Sequence, residues 1–352
     1  MRTELLDYAF PERLVAQRPA HRRRDARLMA MSRETGAIFH GTFSALPTFL
    51  RPGDLLVVND TKVLRGRLRA RRKGGGAVEI FLLSRLDGEG AAREERWEAL
   101  ARPSKRLSAG DTFGIGGVLE ARLHRRHGEG RWEVTLSPRE GTVADALERV
   151  GEVPLPPYIR RAPGEPAGEE DSRRYQTVYA ALPGSVAAPT AGLHFDEEML
   201  RELGAAGIGV ARVTLSIGYG TFSPIRTEEV EDFAIHPERY RLTPEAAEAV
   251  NAARARGGRV VAVGTTSVRT LETCAGEDGT VAPSEGVTRK FIFPGYRFRA
   301  VDALLTNFHL PRSSLLALVM AFAGVEPVRA AYRAAVAEGY RFYSYGDAML
   351  VA

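Results

Sequence analysis

Residues 53–86 read GDLLVVNDTKVLRGRLRARRKGGGAVEIFLLSRL. The first part, GDLLVVND (Gly53–Asp60), follows the breakers of RPG and runs apolar into polar residues, which predicts a buried strand that ends in a polar loop. The last part, GAVEIFLLSRL, is a strand of another setting, reached through a glycine-rich turn. Upstream, RLMAMS and AIFHG flank a Thr35-Gly36 turn, giving strand, turn, strand, short helix, strand between Arg27 and Asn59. Downstream as far as Glu152, RWEALAR, GVLEARLH and RWEVTLS are short strands between charged or glycine-rich turns, and only TVADALERV reads as a helix. The change of texture near Arg67 predicts a small all-β domain at 67–152, inserted into an α/β domain built from 1–66 and 153–352.

The segment PLPPYIRRAPGEPAGEEDSRRY reads as an exposed loop, and strands and helices alternate after it. IGVARVTLSIG, GRVVAVG, VTRKFIF, AVDALLTNF and DAMLVA read as strands. TPEAAEAVNAARARG, TSVRTLETCAG, RSSLLALVMAFAG and EPVRAAYRAAVAEG read as helices, several with Thr or Ser caps and closing glycines.

Composition bounds the function. The chain has 352 residues, 44% hydrophobic and 26% charged, enough for about two packed domains and not for a disordered chain. Its net charge of +5 rests on arginine, which suits either a polyanionic partner or an arginine-rich surface. The single cysteine, Cys274, forms no intramolecular disulfide, and no Cys/His cluster has zinc spacing, so no metal is expected. The N-terminus lacks an apolar signal core and SLLALVMAFAG is too short to span a bilayer, which predicts a cytoplasmic protein.

P-loop, dinucleotide, zincin, nucleophile-elbow and zinc-deaminase motifs are absent. What remains is a set of polar loops at strand ends, where α/β domains gather ligands. VVAVGTTSVRTLE places Gly264, Thr265, Thr266 and Ser267 at a helix start, either an anion site or simple capping, with Arg269 one turn on. LLTNFHLPRSS offers Asn307 and His309, GSVAAPTAGLHF offers Thr190, Gly192 and His194, and LSIGYGTFSP offers Tyr219 and Gly220. Each histidine is a candidate proton carrier or a loop hydrogen bonder. The run TKVLRGRLRARRKGGG, with Lys62, Arg65, Arg69, Arg71 and Arg72, and RPAHRRRDAR, with Arg22 and Arg23, are candidate phosphate contacts or solvated charged faces.

These stretches, together with DYAFPERLVAQRP, GEVPLPPYI, RYQTVYA, FPGYRF and YRFYSYGDAMLV, resemble the S-adenosylmethionine:tRNA ribosyltransferase-isomerase family of queuosine biosynthesis nearly end to end. The resemblance is thinner over 67–152, mainly RPSKRLSAGD. It implies a barrel-like α/β main domain with an inserted β-barrel, a monomer without an obligate protein partner, and no prosthetic group. The implied reaction moves the ribosyl part of S-adenosylmethionine, a consumed substrate, to 7-aminomethyl-7-deazaguanine at the wobble position of tRNA. Epoxyqueuosine forms, and adenine and methionine leave. That chemistry needs general bases and an acid. His194 and His309 are the leading candidates, the first made neutral by the adjoining helix start. Asp60 and Asp196 come after them, Asp196 also being a possible helix-start stabiliser. The Gly264–Ser267 helix start, with Arg269, would hold the methionine carboxylate. Ser216 stands where the family usually has a histidine, and Arg289 and Lys290 where it often has an acidic and an aliphatic residue, so none of the three receives a role. Two other classes remain: a non-catalytic RNA-binding protein, and an enzyme acting on a small phosphorylated metabolite.

Overall fold

The computed structural model describes residues 1–72, 75–86, 93–128, 130–162 and 167–352. Lys73 and Gly74 of the basic run, and 163–166 of the expected exposed loop, lie outside the described residues.

The expected hairpin is β1 (Arg27–Met31) and β2 (Ile38–Thr42), followed by β3 (Leu55–Asn59), every residue of which is buried. After β4 (Thr61–Val63), the strands β5 (Arg67–Arg71), β6 (Ala77–Arg85), β7 (Glu95–Arg102), β8 (Thr112–Ile115), β9 (Leu119–His127) and β10 (Arg131–Pro138) close into a barrel. Burial alternates residue by residue along β7 and β10, so one side of each strand fills the barrel with Trp97, Ala99, Trp132 and Leu136. Helix α1 (Val143–Val150), capped by Thr142, adds Val143 and Leu147 to that core. The chain enters and leaves the module side by side: Arg67 and Glu152 exchange both backbone hydrogen bonds, at 3.1 and 2.9 Å.

The rest of the chain supplies α2 (Glu169–Arg174), β11 (Leu182–Ser185), α3 (Glu197–Ala205), β12 (Gly209–Leu215), β13 (Glu238–Leu242), α4 (Pro244–Ala255), β14 (Val260–Val263), α5 (Thr265–Cys274), β15 (Ser284–Thr288), β16 (Ala303–Asn307), α6 (Ser314–Ala323), α7 (Val325–Ala337) and β17 (Ala348–Val351). Nine strands join in the order β15-β13-β12-β3-β14-β16-β17-β1-β2, and β11 pairs with β4 beside them. Both faces of this sheet are covered. Leu55 and Val57 of β3 join a core with α4 to α7, while Leu56 and Val58 meet Phe43, Phe195 and Met199 on the other face.

Two expectations need correction. The segment 154–175 is not simply an exposed loop: it contains α2, buries Ile159 and Tyr175, and ties Arg161 to the buried Asp171 at 2.6 Å. The strand expected over VTRKFIF ends at Thr288, because Phe291 and Phe293 turn away to pack on the main core. Among the described residues no single helix is long and apolar enough to cross a membrane, and α6 buries most of its length in the main core.

Neighbouring strands β12, β3, β14 and β16 are parallel, so their C-terminal ends share one edge of the sheet. Strand β17 runs antiparallel to β16, which brings the loop before it to the same edge. In an α/β sheet this is the edge where ligands bind.

Candidate functional site

Loops from these strand ends line a narrow, partly open cleft. Its wall is assembled from segments distant in sequence: 187–191, Ile217 and Thr221, 264–266, 306–310, and Tyr343-Ser344, with Tyr158 reaching in from the segment before α2. Helix α5 starts here. Gly264 adopts φ +87°, a conformation costly for other residues, and no side chain caps the helix, which leaves its first N–H groups open toward the cleft. Behind it, fully buried Asn59 donates to Thr266 Oγ1 (3.1 Å) and to the Leu215 carbonyl (3.0 Å), and accepts from the Thr61 and Leu215 N–H groups. One side chain thereby locks the ends of β3 and β12 and the start of α5 together.

His309 lines the cleft and is held from several sides. Its N–H donates to the Tyr332 hydroxyl at 3.0 Å, its carbonyl accepts from the Tyr8 hydroxyl, and Nε2 meets Thr306 Oγ1 at 2.7 Å. Among the described residues Nδ1 has no hydrogen-bond partner. Burial pushes its pKa down to about 3, so the ring is neutral at physiological pH. Thr190 Oγ1 donates to Asn307 Oδ1 at 2.9 Å, and Asn307 Nδ2 donates to the Tyr343 carbonyl at 3.1 Å. Both non-glycine residues with positive φ among those described, Arg312 at 53° and Tyr343 at 71°, belong to loops bordering this cleft. Strained backbone of this kind gathers at functional sites.

The structure thus brings Thr190, Gly264, Thr265, Thr266, Asn307 and His309 together. It separates the other expected residues from them. His194 is buried on Phe43 behind the cleft, its Nδ1 and Nε2 facing the carbonyls of Ala191 (3.1 Å) and Gly346 (2.9 Å). Both nitrogens thus face backbone acceptors, the ring is absent from the cleft lining, and burial lowers its pKa. Asp196 caps α3 through the Met199 N–H and pairs with Arg24 at 2.9 Å, and Asp60 accepts from Thr214 Oγ1 at 2.7 Å. Ser267 hydrogen-bonds to the Val263 carbonyl at 2.9 Å. Arg269 turns away from the cleft into a buried ion pair with Glu238. That carboxylate in turn accepts from the Gly218 N–H (3.0 Å) and Thr221 Oγ1 (3.2 Å), so Arg269 acts on the cleft through Glu238 and Thr221.

Tyr219 packs edge-on against Phe81 of the barrel, with ring centroids 5.7 Å apart, and is not part of the cleft lining. Gly192 and Gly220 are small because of protein neighbours: a Cβ would overlap Tyr179 Oη in the first case and the His236 ring in the second. Gly192→Ala is therefore expected to cost about 1–3 kcal/mol of stability by overpacking. Urea unfolding checks this, and Tyr179→Phe in the same background should recover part of the loss. Tyr158, Thr221, Tyr343 and Ser344 line the cleft without having been singled out from sequence. The signal for Tyr343 and Ser344 is the polar-aromatic run YRFYSYG just before the last strand, to which a hydroxyl contact of 2.7 Å with Ser344 brings the distant Tyr158.

The expected tRNA-contacting residues fall into two groups. Arg69 and Arg71 point outward from β5, where Arg69 pairs with Glu152, and Arg72 pairs with Asp111 at 3.5 Å. Arg22, Arg23, Lys62 and Arg65 lie instead along adjoining grooves between the main domain and the neck of the barrel. Arg23 is held inward by the carbonyls of Leu193 and Gln176, at 2.9 and 2.8 Å.

The family model described as "Queuosine biosynthesis protein" matches residues 3–351. The chain belongs to this family. It is 53% identical to the S-adenosylmethionine:tRNA ribosyltransferase-isomerase of Anaeromyxobacter dehalogenans, covering 100% of this chain and 99% of that protein. It is 50% identical to the protein of the same name from Moorella thermoacetica, covering 100% of each. Among solved structures, the S-adenosylmethionine tRNA ribosyltransferase of Thermotoga maritima is similar, with a TM-score of 0.55 and 35% identity over 99% of this chain and 100% of that one. As a member of the queuosine biosynthesis family, the chain has the α/β main domain and the inserted β-barrel that the resemblance implied.

Proposed function

We infer that this chain is an S-adenosylmethionine:tRNA ribosyltransferase-isomerase, and that the strand-end cleft is where the ribosyl group changes partners. The observation that carries the siting is the uncapped start of α5 opening beside a buried, neutral histidine. The N–H groups at that start suit the methionine carboxylate. Tyr343 and Tyr158 offer aromatic surface to a cationic sulfonium or a purine. No Asp, Glu, Lys or Arg is among the described residues lining the cleft, and we assign the proton beside the sulfonium to His309, whose lowered pKa keeps the ring unprotonated at the cost of basicity. S-adenosylmethionine enters as a consumed substrate and no prosthetic group takes part. The acceptor is tRNA carrying 7-aminomethyl-7-deazaguanine, and adenine and methionine depart as epoxyqueuosine forms. Neither a non-catalytic RNA binder nor a phosphorylated-metabolite enzyme accounts for full-length relatives that carry the enzyme's name.

Single-turnover assays of adenine release test the reading. Release that requires the modified tRNA is expected. Salt-dependent tRNA binding without release would support the RNA-binding role, and release indifferent to tRNA would point to a small-molecule enzyme.

A further inference from the structure

The grooves beside the barrel neck carry several guanidiniums that make no direct ion pair. One is lined by the turn at Arg22–Arg24 and the end of α2 at Arg173-Arg174. The adjoining one continues past Arg173 and Arg23 to Lys62 and Arg65. The carboxylates along both are already engaged. Asp196 and Glu198 hold Arg24, at 2.9 and 3.2 Å, and Glu148 holds Lys62 at 3.2 Å. Among the described residues no carboxylate lies within 4.0 Å of the Arg22, Arg23, Arg65, Arg173 or Arg174 guanidinium.

Burial lowers the Arg23 pKa to about 10, with the neighbouring Arg174 charge adding to the effect. Arg174 is lowered in the same direction by burial, against a partial offset from the Glu170 charge and with Arg173 adding a smaller push downward. Both guanidiniums are clamped on backbone carbonyls: Arg23 on Leu193 and Gln176, Arg174 on Ala20 and His21. Like charges are thus fixed side by side with Asp196 and Glu170 acting on them only from beyond contact distance, while Arg22 and Arg173 project into solvent beside them. An anion bound there would relieve the repulsion. The site also lies near the cleft, because Arg23 and Arg174 line a small cavity together with Ser344, and Ser344 lines the cleft too.

We propose that this groove, and not the outer face of the β-barrel, seats the phosphodiester backbone of the tRNA, with Arg22 and Arg173 as the phosphate contacts and Arg23 and Arg174 as the fixed charge behind them. The proposal rests on the reading that the chain acts on tRNA. On the barrel, by contrast, the charges of Arg69 and Arg72 are answered by Glu152 and Asp111.

The test is binding of a tRNA transcript to the full chain by fluorescence anisotropy, between about 50 and 200 mM salt. Arg22→Ser/Arg173→Ser should weaken binding by about tenfold and flatten the slope of log affinity against log salt by about 1.5, since each phosphate contact contributes roughly 0.7–0.9. Arg173→Glu alone should weaken binding in the same direction, and the loss should fall on KM for tRNA and not on KM for S-adenosylmethionine. An unchanged slope in the double variant overturns the proposal, as does a flatter slope in Arg71→Ser with none in the double variant, which would seat the backbone on the barrel. Failure of the unsubstituted chain to bind tRNA would instead overturn the underlying reading.

Discussion

His309→Ala is expected to slow single-turnover adenine release by about two to four orders of magnitude, the range for loss of a positioned acid or base. The expectation rests on place and preparation. His309 is the histidine of the cleft wall, its backbone is fixed by Tyr8 and Tyr332, and Thr306 Oγ1 meets Nε2 while Nδ1 remains open. His309→Asn keeps a polar side chain of similar reach and should not restore the rate. His194→Ala, whose ring faces only backbone carbonyls, should lower stability more than chemistry. Near wild-type release in His309→Ala would sink the assignment.

Acid pH offers a second view of the same residue. The folded-state pKa is about 3, well below the ordinary imidazole value. As pH falls the unfolded chain therefore takes up the proton first. The stability linked to His309 is complete above about pH 6.5 and declines as pH drops toward 3, by about 2 kcal/mol at pH 5. Urea unfolding of wild type and His309→Asn at about pH 7 and pH 5 should show the difference between the two conditions shrinking by that amount. The release rate, for its part, should lose nothing to protonation of this ring across that interval.

Which parts of this protein could be read in advance follows from how locally each is determined. Strands β3, β14 and β16 are continuous apolar runs because both faces of the sheet are covered, and their polar ends announce the site edge. The barrel declares itself through two-residue alternation along β7 and β10. Strand β13 reads ERYRL, with little apolar alternation, and is a strand because β12 and β15 pair with it on either side. Its Glu238, which governs Thr221, carries no local signal at all. The same limit explains His194. Loop grammar places a histidine at the entrance to a helix, but only packing against Phe43 and the Gly346 carbonyl decides where the ring points. Thr266 was legible as part of a helix start, whereas Tyr158 and Tyr343 meet only through the fold, with rings 4.9 Å apart.

The Arg269–Glu238 pair gives the second large effect. Their side chains are 7% and 5% exposed, and Arg269 Nη2 is buried without a hydrogen-bond partner among the described residues. Glu238→Leu alone strands the guanidinium in the interior and should cost about 3–5 kcal/mol. Replacing the arginine as well, as Arg269→Met/Glu238→Leu, should recover most of that loss, because a buried pair exchanged for apolar groups is often neutral. The recovered protein still lacks the acceptor that holds the Gly218 N–H and Thr221 Oγ1. Its kcat/KM for S-adenosylmethionine should therefore fall about tenfold, the equivalent of one well-placed hydrogen bond. Arg269→Met/Glu238→Gln keeps a carbonyl oxygen at the same place and should restore activity along with stability. If the leucine and glutamine double variants are equally stable and equally active, the pair serves folding alone and Thr221 needs no anchor. If only the glutamine form is active, the acceptor at position 238 positions Gly218 and Thr221 beside the cleft, and Arg269, absent from both variants, serves to neutralise the buried carboxylate and does not touch substrate.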